Sequence, residues 1–299
     1  MELGTSIDNK RYGDDASVLA WELGNELGGW SGPAPPAEWT LDIASFIKAN
    51  AVQLVSDGTL GGYGDGNWAA EALNSPSVDL FSNHYYSGLD DIQHMKRDTL
   101  LVTGNQKVFF NGEFGLSSTS SIEAYYKETI NNTDISGCLI WSLRFHSRDG
   151  GFYVHSEGPD YWAYHVPGLD SSNQGFTIEE PRIVELTRRY ALDITGNSAD
   201  TPHLIPLAPA AIFSESVTPN DLRWQGSAWA SHYQVSRSTD GKFFYPLSYN
   251  ASDAVSSGMP YFSDPNSSGA GRLWYSVTAV NLDGATSETS LELGPFANY

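Results

Sequence analysis

The chain contains one cysteine in 299 residues, so no disulfide can form within it and a disulfide-stapled scaffold is excluded. Cys138 lies in the apolar run "GCLIW" and reads as a small buried hydrophobe. Long hydrophobic runs are also missing. No stretch approaches the roughly 20 apolar residues that span a bilayer, and no leader opens the sequence, so no membrane partner is expected. Positive charge is scarce, with 16 Lys and Arg against 36 Asp and Glu and a net charge of −20, a surface that would repel a phosphate backbone. Nucleic acid is therefore excluded as a partner. The His and Asp residues show no metal-site spacing, and no cofactor is expected. Aromatics, by contrast, are plentiful: 13% of residues, nine of them Trp. Most must serve cores, but Trp and Tyr faces also suit flat, hydroxyl-rich ligands such as sugars.

Two kinds of pattern divide the chain. Residues 1 to 197 alternate short apolar runs ("VLAWELGN", "LVSDG", "VDLFSNHYY", "KVFFNGEFG", "GCLIWSL") with stretches whose apolar residues recur at three and four. Helices are expected over "AEWTLDIASFIKANA", "LDDIQHMKRDTLLVTGN", "SIEAYYKETINN" and "PRIVELTRRYALDI". This is the pattern of βα units in a parallel sheet, an α/β fold. Residues 198–209, rich in proline and small residues, read as a linker. From 210 to 299 the period becomes two ("DLRWQG", "HYQVSRS", "FFYPLSY", "RLWYSVTAVN", "TSLELG"), which predicts an antiparallel, immunoglobulin-like β-sandwich.

Two glutamates stand out. Glu26 closes the apolar run "SVLAWELGNE" and Glu113 closes "KVFFNGE", each just before a glycine-containing turn. In a parallel barrel the C-terminal ends of the strands converge on one face, so carboxylates far apart in sequence can meet there. Two carboxyl groups roughly 5 Å apart are the parts of retaining glycoside hydrolysis, one a general acid and the other a nucleophile. Glu22, four residues earlier on the same strand, reads as a structural carboxylate nearer the barrel bottom.

The same residues carry a resemblance. "AWELGNE" resembles the fourth strand of glycoside hydrolase family 5, "SNHYY" the sixth, "FFNGEFG" the seventh and "LIWSL" the eighth, in that order. "YGDDASVLAWELGNE", "WSLRFHSRDGGFYVHSE" and "YWAYHVPG" are similar to its endo-β-1,4-mannanase branch. The resemblance implies strands four to eight of a (β/α)8 TIM barrel and retaining hydrolysis of β-1,4 links in mannan. It also implies Glu26 as acid/base, Glu113 as nucleophile, and Asn25 on the 2-hydroxyl of the sugar being cleaved. Tyr86 would hydrogen-bond Glu113, His84 would orient substrate or acid, and Trp141 would stack under the sugar. Trp30, Trp68, Phe145, His146 and Tyr153 are candidate cleft walls. The C-terminal segment resembles a fibronectin type III domain, with Trp224 as its inner tryptophan and Trp274 or Tyr275 as the matching aromatic.

Only 25 residues precede Glu26, where such a barrel places about three βα units, on the order of 90 residues. Three explanations stand: the sequence is a piece of a longer protein, a missing N-terminal barrel half comes from another chain as a partner, or the chain pairs with itself through its exposed strand edges. A polysaccharide or oligosaccharide substrate and a secreted location are expected. The alternatives are another β-glycanase or an exo-β-mannosidase of the same family, or a non-hydrolytic carbohydrate-binding protein.

Overall fold

Each apolar run in the first part of the chain becomes a strand, and each three-four pattern becomes a helix packed behind it. The computed structural model describes residues 10–30, 32–61, 68–144, 156–157, 161–162, 164–165, 179–196, 210–214, 217–227, 230–253, 255, 260–269, 271–281 and 283–297. The first unit, up to Trp141, holds β1 (Ala20–Glu22), α1 (Ala37–Asn50), β2 (Leu54–Ser56), α2 (Ala70–Asn74), β3 (Leu80–Tyr85), α3 (Asp91–Gly104), β4 (Val108–Gly115), α4 (Thr119–Asn131) and β5 (Ile135–Trp141). Helix ends follow their local chemistry. Glu38 and Lys48 stand at the favourable ends of the α1 dipole, and the Ser118 hydroxyl caps α4 by accepting from the Ser121 N–H.

The five strands are parallel and lie in the order β1-β2-β3-β4-β5. Sequential order without reversal is the winding of a barrel, whereas a doubly wound sheet turns back on itself. The helices cover one face of the sheet. Tyr125 and Tyr126 of α4 pack on Phe114, and Asn83 of β3 meets Asp98 of α3. The other face carries exposed apolar side chains at Leu54 (37%), Val108 (41%) and Leu139 (59%), positions that a closed barrel would bury. Cys138 is half-buried and turned toward Thr129 of α4, and burial pushes its thiol up.

The second unit begins at Ser142, ahead of the boundary expected at 197. It opens with short strands, β6 (Leu143–Arg144), β7 (Ser156–Glu157), β8 (Tyr161–Trp162) and β9 (Tyr164–His165). Helix α5 (Glu180–Ile194) follows with proline in its first turn. The expected linker 198–209 lies outside the described residues.

The rest is antiparallel: β10 (Ile212–Phe213) with β11 (Trp224–Gln225), and a sheet of β12 (Ala230–Ser238), β13 (Tyr245–Ala251), β14 (Arg272–Asn281), β15 (Thr286–Thr289) and β16 (Leu293–Ala297) centred on β14. Its core is Leu222, Trp224, Tyr233, Val235, Leu273, Tyr275, Val277 and Ala279. Trp224 is fully buried, edge-on to Tyr233 and Tyr261; of the two candidate partners in β14, Tyr275 is the one in the core.

Two strands differ from the sequence reading. "FFYPLSY" pairs only from Tyr245, because Asp240 Oδ1 accepts the N–H groups of Lys242 and Phe243 and holds that stretch in a turn. "TSLELG" is split between β15 and β16. Ser290 is tied to Val277 through both its backbone N–H and its hydroxyl, and Leu291 next to it is 90% exposed.

Candidate active site

The segment that presents Glu26 is a loop within a ladder. Leu23 N–H still donates to Ser56 O at 3.2 Å, and Leu27 rejoins β2 through Gly58 O at 3.1 Å. Between these bonds Glu26 sits at φ 50°, the left-handed region that a side chain disfavours and that recurs at functional sites. Gly58, at φ +75°, permits this path: a Cβ there would stand 2.2 Å from Gly24 O.

The middle strand β3 alternates cleanly. Phe81, Asn83 and Tyr85 face the helices, while Ser82, His84 and Tyr86 face the other way. Strand β4 does not alternate cleanly. Asn83 pairs with Asn111 but His84 pairs with Glu113, so Gly112 is an extra residue, a β-bulge. Without it, Glu113 would point at the helices with Asn111. A side chain on Gly112 would collide with Ser82, its Cβ 2.9 Å from that residue's Cβ. The bulge therefore turns Glu113 inward, and glycine makes it sterically affordable.

The result is a cluster of four residues from three elements at one end of the sheet. His84 Nδ1 lies 2.8 Å from Glu26 Oε1 and 3.3 Å from Glu113 Oε2, and Tyr86 donates its hydroxyl to Glu113 Oε2 at 2.5 Å. His84 is buried; Glu26 and Glu113 retain partial access to solvent. Burial pushes the Glu113 carboxyl above its usual range. The Tyr86 hydrogen bond and the His84 ring oppose that rise, and the negative charges of Glu26 and Glu22 add to it. Glu22, read from sequence as purely structural, thus acts on the site through its charge; it also accepts a hydrogen bond from Ser82 Oγ at 3.2 Å. One ligand atom each from Glu26, His84 and Glu113 lie within 4.8 Å of one another, a set that could hold a cation. The same atoms already contact one another, with His84 Nδ1 within reach of both carboxylates.

Of the remaining candidates, Trp30 is 54% exposed and flanks Tyr86, ring centroids 6.2 Å apart. Asn25 is exposed beside Glu26, and Trp141 is half-buried at the end of β5, where it pairs with Gly115. Trp68 does not wall a cleft. It is buried at 5% exposure, edge-on to Phe81 and Phe109 on the helix side of the sheet. An aromatic just ahead of a helix packs into the helix layer, and its sequence position gave no parity to show this. Phe145, His146 and Tyr153 lie outside the described residues.

Sequence reading missed the buried polar group behind β3, formed by Asn83, Tyr85, His94 and Asp98. Its signal was a helix with Asp91, His94 and Asp98 at three- and four-residue spacing where apolar residues were due.

No family model matches the chain. Mannan endo-1,4-beta-mannosidase 3 of Solanum lycopersicum is 34% identical over 92 residues, 28% of this chain and 23% of that protein. Mannan endo-1,4-beta-mannosidase 5 of the same plant is 27% identical over 207 residues, 58% of this chain and 48% of that protein. The chain thus matches about half the length of its curated relatives or less. Among solved structures, a glycoside hydrolase family 5 mannosidase from Rhizomucor miehei aligns at 17% identity and a TM-score of 0.43, covering 64% of this chain and 54% of that one.

Proposed function

We propose that the chain is the C-terminal part, strands four to eight, of a (β/α)8 retaining glycoside hydrolase of family 5 that cleaves β-1,4-mannosidic links. The observation that carries this reading is the pair of glutamates at strand ends. One oxygen of each lies within 4.8 Å of the other, near the spacing of retaining enzymes and well short of the roughly 6.5–9.5 Å that inverting enzymes need for a water. Similarity to mannan endo-1,4-beta-mannosidases supports the mannan specificity.

In this mechanism Glu26 donates its proton to the glycosidic oxygen while the Glu113 carboxylate attacks the anomeric carbon. The C–O bond to the leaving sugar breaks and a glycosyl ester on Glu113 forms. Glu26, now a carboxylate, takes a proton from water, whose oxygen displaces Glu113 and restores the original configuration. His84 holds both carboxylates in register, Tyr86 favours the ionised form of Glu113, and Asn25, Trp30 and Trp141 bind sugar. The antiparallel C-terminal region is a fibronectin type III-like sandwich serving as a spacer, and the protein is secreted.

A second reading, non-hydrolytic glycan binding, draws on the bare apolar face at Leu54, Val108 and Leu139, since an open barrel holds its carboxylates less firmly. Incubation with β-1,4-mannan, glucomannan and cellulose, with Glu113→Ala as control, separates the two. Manno-oligosaccharides released by the parent alone support the hydrolase. Binding without any product supports the second reading, and near-parental release by Glu113→Ala removes Glu113 as nucleophile.

A further inference from the structure

The helix-facing side of β3 is polar where a sheet–helix interface is ordinarily apolar. Asn83 and Tyr85 point to α3 and are 1% and 0% exposed; Asp91, His94 and Asp98, on the helix face that meets them, are 2%, 5% and 3% exposed. Asp98 Oδ2 accepts from Asn83 Nδ2 at 2.8 Å and from the Tyr85 hydroxyl at 2.7 Å, with His94 Nε2 3.5 Å away. Asp91 Oδ2 accepts the N–H of Ser87 at 2.7 Å, just past Tyr86. A fully buried polar layer is costly unless every member is paired, so its presence behind one particular strand calls for a reason.

The reason lies in the bulge. The ladder between β3 and β4 slips between Asn83 and His84, and at that slip the N–H of His84 is taken by the side-chain oxygen of Asn83 at 2.9 Å. The Asn83 carboxamide therefore has two duties: its oxygen holds the backbone of His84, and its NH2 must point away. Asp98 is the acceptor that fixes this orientation, because a carboxylate can take the NH2 end but offers nothing to the oxygen end.

We infer that Asp98 is a positioning residue for the site on the other face of the sheet. Acting through Asn83, it sets the backbone at His84 and hence the place of the Nδ1 that bridges Glu26 and Glu113. The inference rests on the proposed hydrolase for its kinetic readout but not for its structural one. Asp98→Asn keeps an acceptor oxygen toward Asn83, whereas Asp98→Leu does not. Tyr85→Phe removes a second donor from the same carboxylate but leaves the Asn83–Asp98 bond in place, and serves as the control for loss of stability alone.

The test measures kcat and KM on manno-oligosaccharides together with the 15N resonances of the His84 ring in the full chain. Asp98→Leu is expected to lower kcat by about 10- to 100-fold with KM within about threefold, the cost of a small misplacement, and to shift the His84 ring resonances. Asp98→Asn is expected to restore both to near the parent, and Tyr85→Phe to lower Tm while leaving both unmoved. Unchanged His84 resonances in Asp98→Leu, or the same changes in Tyr85→Phe, overturn the inference. Should Asp98→Leu not fold, Asn83→Ser, too short to link His84 to Asp98, takes its place with the same expected shifts. Should the parent hydrolyse nothing, the proposed function fails, while the His84 resonances still decide the positioning role.

Discussion

Two of the carboxylates that accept a tyrosine hydroxyl, Asp264 and Glu113, behave oppositely. In the second unit, Asp264 is wholly buried and accepts from Tyr275 at 2.7 Å, from Arg237 Nη1 at 2.8 Å and from the N–H of Asn266 at 3.0 Å. Burial alone would raise its pKa, but these three donors together hold it below the usual carboxylate range. In the site, Glu113 accepts from Tyr86 and faces His84, and burial wins: its pKa is raised. The tyrosine is common to both, so it does not decide the outcome. What differs is the surrounding charge. Arg237 is a permanent cation, whereas His84 can lose its proton, and Glu113 shares its face with two further carboxylates. One arrangement locks a charge in place; the other leaves a carboxylate ready to gain or lose a proton.

The largest test of this contrast is Glu113→Gln. On the proposed function, turnover on mannan is expected to fall by more than about 10⁴-fold, as for removal of a nucleophile. Stability should move the other way. A carboxyl whose folded pKa is raised contributes stability that is fully present below its unfolded pKa and is lost as pH rises through the folded value. At neutral pH the parent has lost that contribution, so Glu113→Gln should melt at a higher temperature than the parent near pH 7 and lose this advantage near pH 3. A Tm at or below the parent's near pH 7 would mean that burial does not govern Glu113.

Asp264 carries the opposite sign. Its lowered pKa contributes stability above the ordinary carboxylate range, lost as pH falls through the folded value. Arg237→Ala leaves that buried charge without its cation and is expected to cost about 2–3 kcal/mol near pH 7, at the low end for breaking a buried pair because Arg237 is partly exposed. Hydrogen exchange of the β14 amides reads this change; a cost under about 0.5 kcal/mol would show that Tyr275 and the backbone suffice.

Sequence alone exposed the five strands, four of the helices and the ends where Glu26 and Glu113 stand, because those signals are local: an apolar run, a three-four period, a glycine turn. It could not expose facing. Counting by twos from the helix-facing Phe109 assigns Glu113 to the helix layer, and only the bulge at Gly112 sends it inward. The "NGE" glycine was visible, but its role depends on a clash with Ser82, a residue of the neighbouring strand. The same blindness to facing made Trp68 a cleft wall on paper. It also hid the tie between Asn83 and Asp98, residues 15 positions apart whose meeting depends on how α3 lies against β3.

The smallest effect is the most informative about the site. Tyr86 donates to Glu113 at 2.5 Å, and a hydroxyl bonded to a carboxylate favours the ionised form. Tyr86→Phe removes that bond and leaves burial and the neighbouring carboxylates to act, so the pKa of Glu113 should rise further. In the proposed function Glu113 must be ionised to attack, so the acid limb of kcat/KM should move to higher pH, with turnover near pH 7 lower by about tenfold. Tyr275→Phe makes the matching change in the second unit, but Arg237 and the Asn266 N–H remain on Asp264. Its cost there should be only about 1 kcal/mol of stability, that of one buried hydrogen bond. A pH profile of Tyr86→Phe whose acid limb stays in place would assign control of Glu113 to His84 instead. The two tyrosines would then be alike, each donating to a carboxylate whose protonation state is set by the charges around it.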